Sequence, residues 1–169
     1  AVTKLHAIWS KKLSIKELKL SENDFIGLAG TLAIKLPSKA EEITQTQRNS
    51  ITNPDRKRQF EFILPALSNN QQIRDEFFTS LSDEKNRQTE SWVLGALGYL
   101  HHPLRTKDSE KYILSSLELL EEIQVTGDIF FPKRWVDVTL GNYSSDSAVK
   151  TVRDFLANRP DYNNQLRMK

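Results

Sequence analysis

The chain has 169 residues, of which 38% are apolar, 27% charged and 9% aromatic, with a formal net charge of +2. That composition belongs to one ordinary globular domain rather than to a disordered or low-complexity segment. With no cysteine there is no disulfide framework, thiolate zinc site or cysteine nucleophile; the charge is too small to argue for nucleic acid or an anionic membrane, and no apolar run reaches the roughly 18 residues of a membrane span.

The hydrophobic spacing is helical almost throughout, and no repeat period is visible. Lys11, Lys12, Lys16 and Lys19 form a basic N-terminal stretch that reads as a solvated face, with a docking surface as the alternative. Leu18-Lys19-Leu20 is the only candidate for extended structure and is too short for a sheet. Over 22–36, Phe25, Ala29, Leu32 and Leu36 share a face; Ser21 is the N-cap, Asp24 stands at the third helical position, and Pro37 stops the helix. Gly27 and Gly30 in this helix read as points of close helix approach. Residues 39–51 predict a weaker helix carrying Ala40, Ile43 and Ile51.

Asn53-Pro54-Asp55 is a helix start, with a capping amide, a proline in the first turn and an acid at the positive end of the dipole. Its stripe is Phe60, Ile63, Leu64 and Leu67, and Pro65 predicts a kink or an early end. Asn69 or Asn70 caps a helix bearing Ile73, Phe77 and Leu81. Trp92, Val93, Ala96, Leu97 and Leu100 form the next stripe, which His101-His102-Pro103 ends. Residues 107–124 read as the longest helix, with Gly127 as its left-handed cap. A further helix carries Phe130, Phe131, Trp135, Val136 and Leu140, the aromatic residues reading as core. Ser144 or Ser145 caps the last full helix, which Pro160 terminates. Asp161 to Asn164 reads as another helix start, two turns at most before Lys169, so the chain reads as part of a longer polypeptide or as one with a trimmed C-terminus.

The expected fold class is therefore all-α. About nine short helices with short connections suit an α-solenoid, a right-handed superhelical stack of antiparallel helix pairs, better than a four-helix bundle. Residues 1–169 read as a single helical domain.

Catalytic chemistry is missing. The chain has three histidines. His101 and His102 are adjacent, so on a helix they point apart and read as a helix-end cap or interface. No H-E-x-x-H, Gly-rich phosphate loop or G-x-S-x-G elbow occurs. Glu121 and Glu122 read as exposed helix surface rather than a carboxylate dyad.

Several strings nevertheless resemble a known family. They are Asn53-Pro54-Asp55-Arg56, Phe60-Glu61-Phe62, Pro65-Ala66-Leu67-Ser68 and Arg74-Asp75-Glu76-Phe77-Phe78, followed by the long Trp92 to Arg105 run. Ser109 to Tyr112, Leu119 to Gln124, Thr126 to Pro132 with Trp135, Val152 to Leu156 and Arg159 to Tyr162 complete the series. Together they resemble the C-terminal helical domain of bacterial zinc aminopeptidases of the aminopeptidase N family, of HEAT/armadillo type. The resemblance covers most of 53–169 and is weaker over 1–52. Its most specific parts are Trp92–Arg105 and Asp128–Trp135.

The resemblance implies a parent with a thermolysin-like catalytic domain, one zinc ion on H-E-x-x-H plus a distant Glu, and a metal-bound water that attacks the first peptide bond. None of those residues lies in this chain, so the resemblance assigns it no catalytic, metal or cofactor-binding residue. It implies a domain that covers the active site and shapes access for peptide substrates, with the catalytic domain of the same polypeptide as partner, in the bacterial cytoplasm or periplasm. Arg105, Lys133 and Arg134, inside the specific strings and near helix ends, are the candidate substrate-cavity or interdomain face. The alternatives are a free-standing α-solenoid that binds another protein and a helical nucleic-acid binder. The interspersion of 24 basic and 22 acidic residues argues against the latter.

Overall fold

A computed structural model of the chain describes residues 1–167. All regular secondary structure among the described residues is helical, which bears out the all-α class, and none of the helices among those residues is long and apolar enough to cross a membrane. The chain divides into two compact units, Ala1–Arg74 and Asp75 onward.

The first unit contains α1 (Val2–Trp9), α2 (Glu22–Lys35), α3 (Ala40–Ser50) and α4 (Pro54–Leu67). Ser21 and Asp24 close a capping box on α2, the Ser21 hydroxyl accepting from the Asp24 amide (3.3 Å) and the Asp24 carboxylate from the Ser21 amide (2.7 Å). The Asn53 side chain caps α4, accepting from the amides of Asp55 and Arg56 at 3.0 Å. Helix α2 packs on α1, α3 and α4. Ala29, Leu32 and Ile43 form a core against which Val2, Leu5, Trp9 and Leu36 pack. Pro65 does not end α4 early. The helix continues to Leu67, because Ala66 and Leu67 are fully buried and packing holds the last turn despite the hydrogen bond that proline removes. A Cβ on Gly27 would meet nothing within 4 Å, so close helix approach does not account for that glycine.

The boundary between the units falls inside α5 (Gln71–Ser80). The second unit continues with α6 (Glu90–Leu100), α7 (Thr106–Ser109), α8 (Ile113–Glu118), α9 (Leu120–Thr126), α10 (Phe131–Leu140), α11 (Asp146–Ala157) and α12 (Asn164–Arg167). The single long helix expected over 107–124 is thus three pieces. Residues 110–112 tighten into a 3-10 turn, and Leu119 interrupts the last two pieces. Side-chain attachments bind the tightened turn to distant residues. The Ser109 hydroxyl donates to the Leu100 carbonyl (2.6 Å), Glu110 accepts from the hydroxyls of Ser145 (2.6 Å) and Ser147, and the Tyr112 hydroxyl donates to Asp75. Helix α10 packs on α6, α8 and α9, and α11 packs on α8. Trp135 is fully buried, edge-on to Phe131, and its indole N–H donates to the Ser116 carbonyl (3.1 Å).

Candidate interdomain face

The three basic residues singled out from the sequence do not share a fate. Arg105 ends the 3-10 turn Pro103–Arg105 and is only 7% exposed. A buried guanidinium stays protonated and must be satisfied inside the unit, so Arg105 is a structural cation rather than one presented on an open face. Lys133 and Arg134 are exposed on the first turn of α10. That turn carries no acid, so both cations sit at the positive end of the helix dipole, which disfavours them. Asp137 answers one of them: its two carboxylate oxygens lie 2.8 and 2.6 Å from the Lys133 ammonium.

The corner preceding α10 gives Arg134 its setting. Val125, Ile129 and Phe130 are 84%, 78% and 64% exposed. The expectation that Phe130 belongs to the core fails, while Phe131 and Trp135 are buried as expected. Three large apolar side chains thus stand in solvent within six residues, next to a cation. Gly127 shapes this corner, but not as a left-handed cap: its backbone is extended, at φ −97° and ψ 173°. Its requirement is space, since a Cβ there would come 2.7 Å from the Phe131 ring and 2.9 Å from the Ile123 carbonyl oxygen. The Asp128 amide donates to Glu90 (2.7 Å) and the Asp128 carboxylate accepts from the Phe130 amide (2.8 Å), which fixes the turn that exposes Ile129 and Phe130.

A cleft of about 220 Å³ lies beside the corner, lined by Glu84, Arg87, Glu90, Gly127 and Phe131 among others. Arg87 is 3% exposed, donates to the Leu81 carbonyl (2.7 Å) and pairs with Glu122. Glu122 is on the surface as expected, yet it answers a buried charge.

The adjacent histidines act structurally. His102 Nδ1 accepts from the Leu104 amide (3.1 Å) and caps the following turn. His101 is fully buried, with Nδ1 2.6 Å from the Tyr143 hydroxyl, and Asn142 donates to its carbonyl (3.0 Å). Burial lowers the His101 pKa to about 3, so the ring is neutral near pH 7, and it pushes the Tyr143 hydroxyl up, helped by the nearby Glu110 charge. His101 Nε2 has no hydrogen-bond partner among the described residues. No group of three or more His, Cys, Asp or Glu side chains among the described residues is placed to hold a metal ion.

Comparison of the chain with family models, with curated proteins and with solved structures finds no match. Sequence reasoning missed the exposed corner and the Arg87–Glu122 pair. Available signals were the apolar run Ile129-Phe130-Phe131, in which a short turn cannot bury every side chain, and the acid-free first turn of α10.

Proposed function

We propose that this chain is the C-terminal helical domain of a zinc aminopeptidase and that its Val125–Arg134 corner meets the rest of that enzyme. The observation that carries the reading is the exposure of Val125, Ile129 and Phe130 beside Arg134, inside a stretch that overlaps one of the two most family-like strings. Exposed apolar patches rimmed by polar groups mark interaction sites. An apolar centre with an arginine edge has the composition of a protein interface.

In this reading the domain is a right-handed α-solenoid of HEAT/armadillo type that covers the catalytic site and limits entry to short peptides or free N-termini. The catalytic domain of the same polypeptide is its partner, and the single zinc ion resides there. The chain supplies shape and no chemistry. Support for the stacked arrangement comes from the first unit, where α1, α2 and α3 pack in sequence order.

The test is Phe130→Asp and Arg134→Ala in the full polypeptide, assayed on a dipeptide and on a longer peptide with the same N-terminal residue. The expected result is relaxed length discrimination, with the longer peptide gaining in kcat/KM relative to the dipeptide. An unchanged ratio in both variants, with the fold intact by circular dichroism, would reject the corner's role.

A further inference from the structure

We propose that the Lys11–Leu20 segment of the first unit, with the cleft beneath it, is a docking site for an acidic protein segment bearing apolar side chains. The segment joins α1 to α2 and alternates charge with hydrophobicity. Lys11, Lys12, Lys16 and Lys19 are all exposed and Glu17 is the only acid, for a local charge of +3. Leu13, Ile15 and Leu18 are 38%, 41% and 51% exposed.

With Ile8, Leu20 and Phe25 these aliphatic side chains line a concave cleft of about 160 Å³. It adjoins a larger one of about 480 Å³ that shares Lys11, Leu20 and Phe25 and is walled by Trp9, Gln47 and Glu22, whose carboxylate is already engaged by Thr52 and Arg56. The Trp9 indole N–H donates to Gln47 (2.8 Å), which holds the aromatic wall in place. A side chain protruding from a peptide fits a concavity of this size. Lys11 lines both clefts and Lys12, Lys16 and Lys19 are exposed in the same segment, so the local charge of +3 complements carboxylates flanking that side chain. Apolar cleft and local charge together match an acidic peptide with an apolar anchor.

Backbone conformation supplies an independent reason. Lys11 (φ 60°) and Glu17 (φ 66°) are the only non-glycine residues with positive φ among those described, and both lie in this segment. Lys11 occupies the left-handed position after α1, where the amides of Lys12 and Leu13 fold back onto the Ala7 carbonyl at 2.9 and 3.0 Å. Glu17 is the third residue of a turn closed by the Leu18 amide on the Ile15 carbonyl (3.1 Å). Glycine fits such positions without the steric penalty that a side chain incurs. At the first of them the side chain does something: the Lys11 ammonium lies 5.3 Å from the centroid of the Phe25 ring, at the junction of the two clefts. Strain held at a cleft mouth is characteristic of ligand clamps. The site lies wholly within the first unit and does not depend on the peptidase reading.

The experiment titrates the 169-residue chain with a short peptide alternating glutamate and leucine, followed by isothermal calorimetry and by the Trp9 indole N–H resonance, assigned with Trp9→Phe. The expected result is saturable binding that moves the Trp9 signal, weakens with added salt, and falls by at least about tenfold in K12E/K16E/K19E. A lysine–leucine peptide is expected not to bind. Leu18→Ser, which keeps every charge, is expected to weaken binding and serves as a second variant should the charge reversals disturb the fold. Absence of binding would overturn the proposal, as would affinity indifferent to both variants. Binding to phosphatidylserine vesicles with none to the peptide would also overturn it and assign the site to a membrane.

Discussion

Replacing Glu122 with Gln strips the carboxylate from a guanidinium that is 3% exposed while leaving shape and volume nearly unchanged. Removing one member of a fully buried ion pair costs about 3–5 kcal/mol, because the remaining charge is left without compensation. Two observations lower that figure here. Glu122 is itself 44% exposed, so solvent already screens the pair, and Arg87 keeps its hydrogen bond to the Leu81 carbonyl. The expected loss is therefore about 1–2 kcal/mol, larger than the 0–1 kcal/mol of an exposed pair. In a chain of this size that lowers Tm by about 2–8 °C. Arg87→Met removes the charge instead of orphaning it, so the double variant R87M/E122Q should lose less than the sum of the two single variants, with a coupling of about 1 kcal/mol. Urea unfolding followed by Trp fluorescence gives the free energies, and unchanged m-values confirm that only stability has moved. A loss below about 0.5 kcal/mol for Glu122→Gln would place the pair among ordinary surface contacts and refute the reasoning.

Gly127→Ala should cost about 1–3 kcal/mol, since its Cβ must displace the Phe131 ring or the Ile123 carbonyl; thermal melting at wild-type level would show that the corner yields. His101 has a folded pKa of about 3 against an ordinary value of 6.5, so the unfolded chain binds more protons between those values. Its contribution is complete above pH 6.5 and is lost as pH falls toward 3. Glu22, Asp24 and Glu110, all with lowered pKa values, add their losses only in the carboxylate range. Between pH 6.5 and 5 His101 should thus contribute to the decline, and His101→Phe should make it shallower, as measured by urea midpoints at several pH values; an equal slope in both proteins would contradict the assignment. Lys11→Gly should stabilise the first unit by about 1 kcal/mol by relieving the left-handed strain, while weakening acidic-peptide binding in the same titration.

What the sequence discloses here is local chemistry. Ser21 with Asp24, Asn53 before Pro54, and Ser145 act within three residues of the groups they cap, so their roles are written side by side in the chain. The tightened turn at 110–112 is not legible in that way, because Glu110 finds its hydroxyl partners 35 and 37 residues later. His101 likewise meets Tyr143 across 42 residues. Gly127 shows how a correct residue type can suggest the wrong reason: a left-handed cap and a crowded extended position both select glycine, and only the Phe131 ring distinguishes them. Phe130 and Phe131 are equal in hydrophobicity, and the turn that Asp128 and Glu90 fix decides which of them faces inward. Arg105 carries the same lesson for charge, since its place near a helix end gave no sign that it is buried.

Hydrolysis of a chromogenic aminoacyl anilide is the decisive assay, run on the parent polypeptide that the proposal implies and on the 169-residue chain alone. The expected result is release of the chromophore by that parent, loss of activity on zinc chelation with recovery on adding zinc back, and no activity from the chain by itself. A full polypeptide that lacks an H-E-x-x-H motif, or that leaves the anilide intact with zinc present, would contradict it.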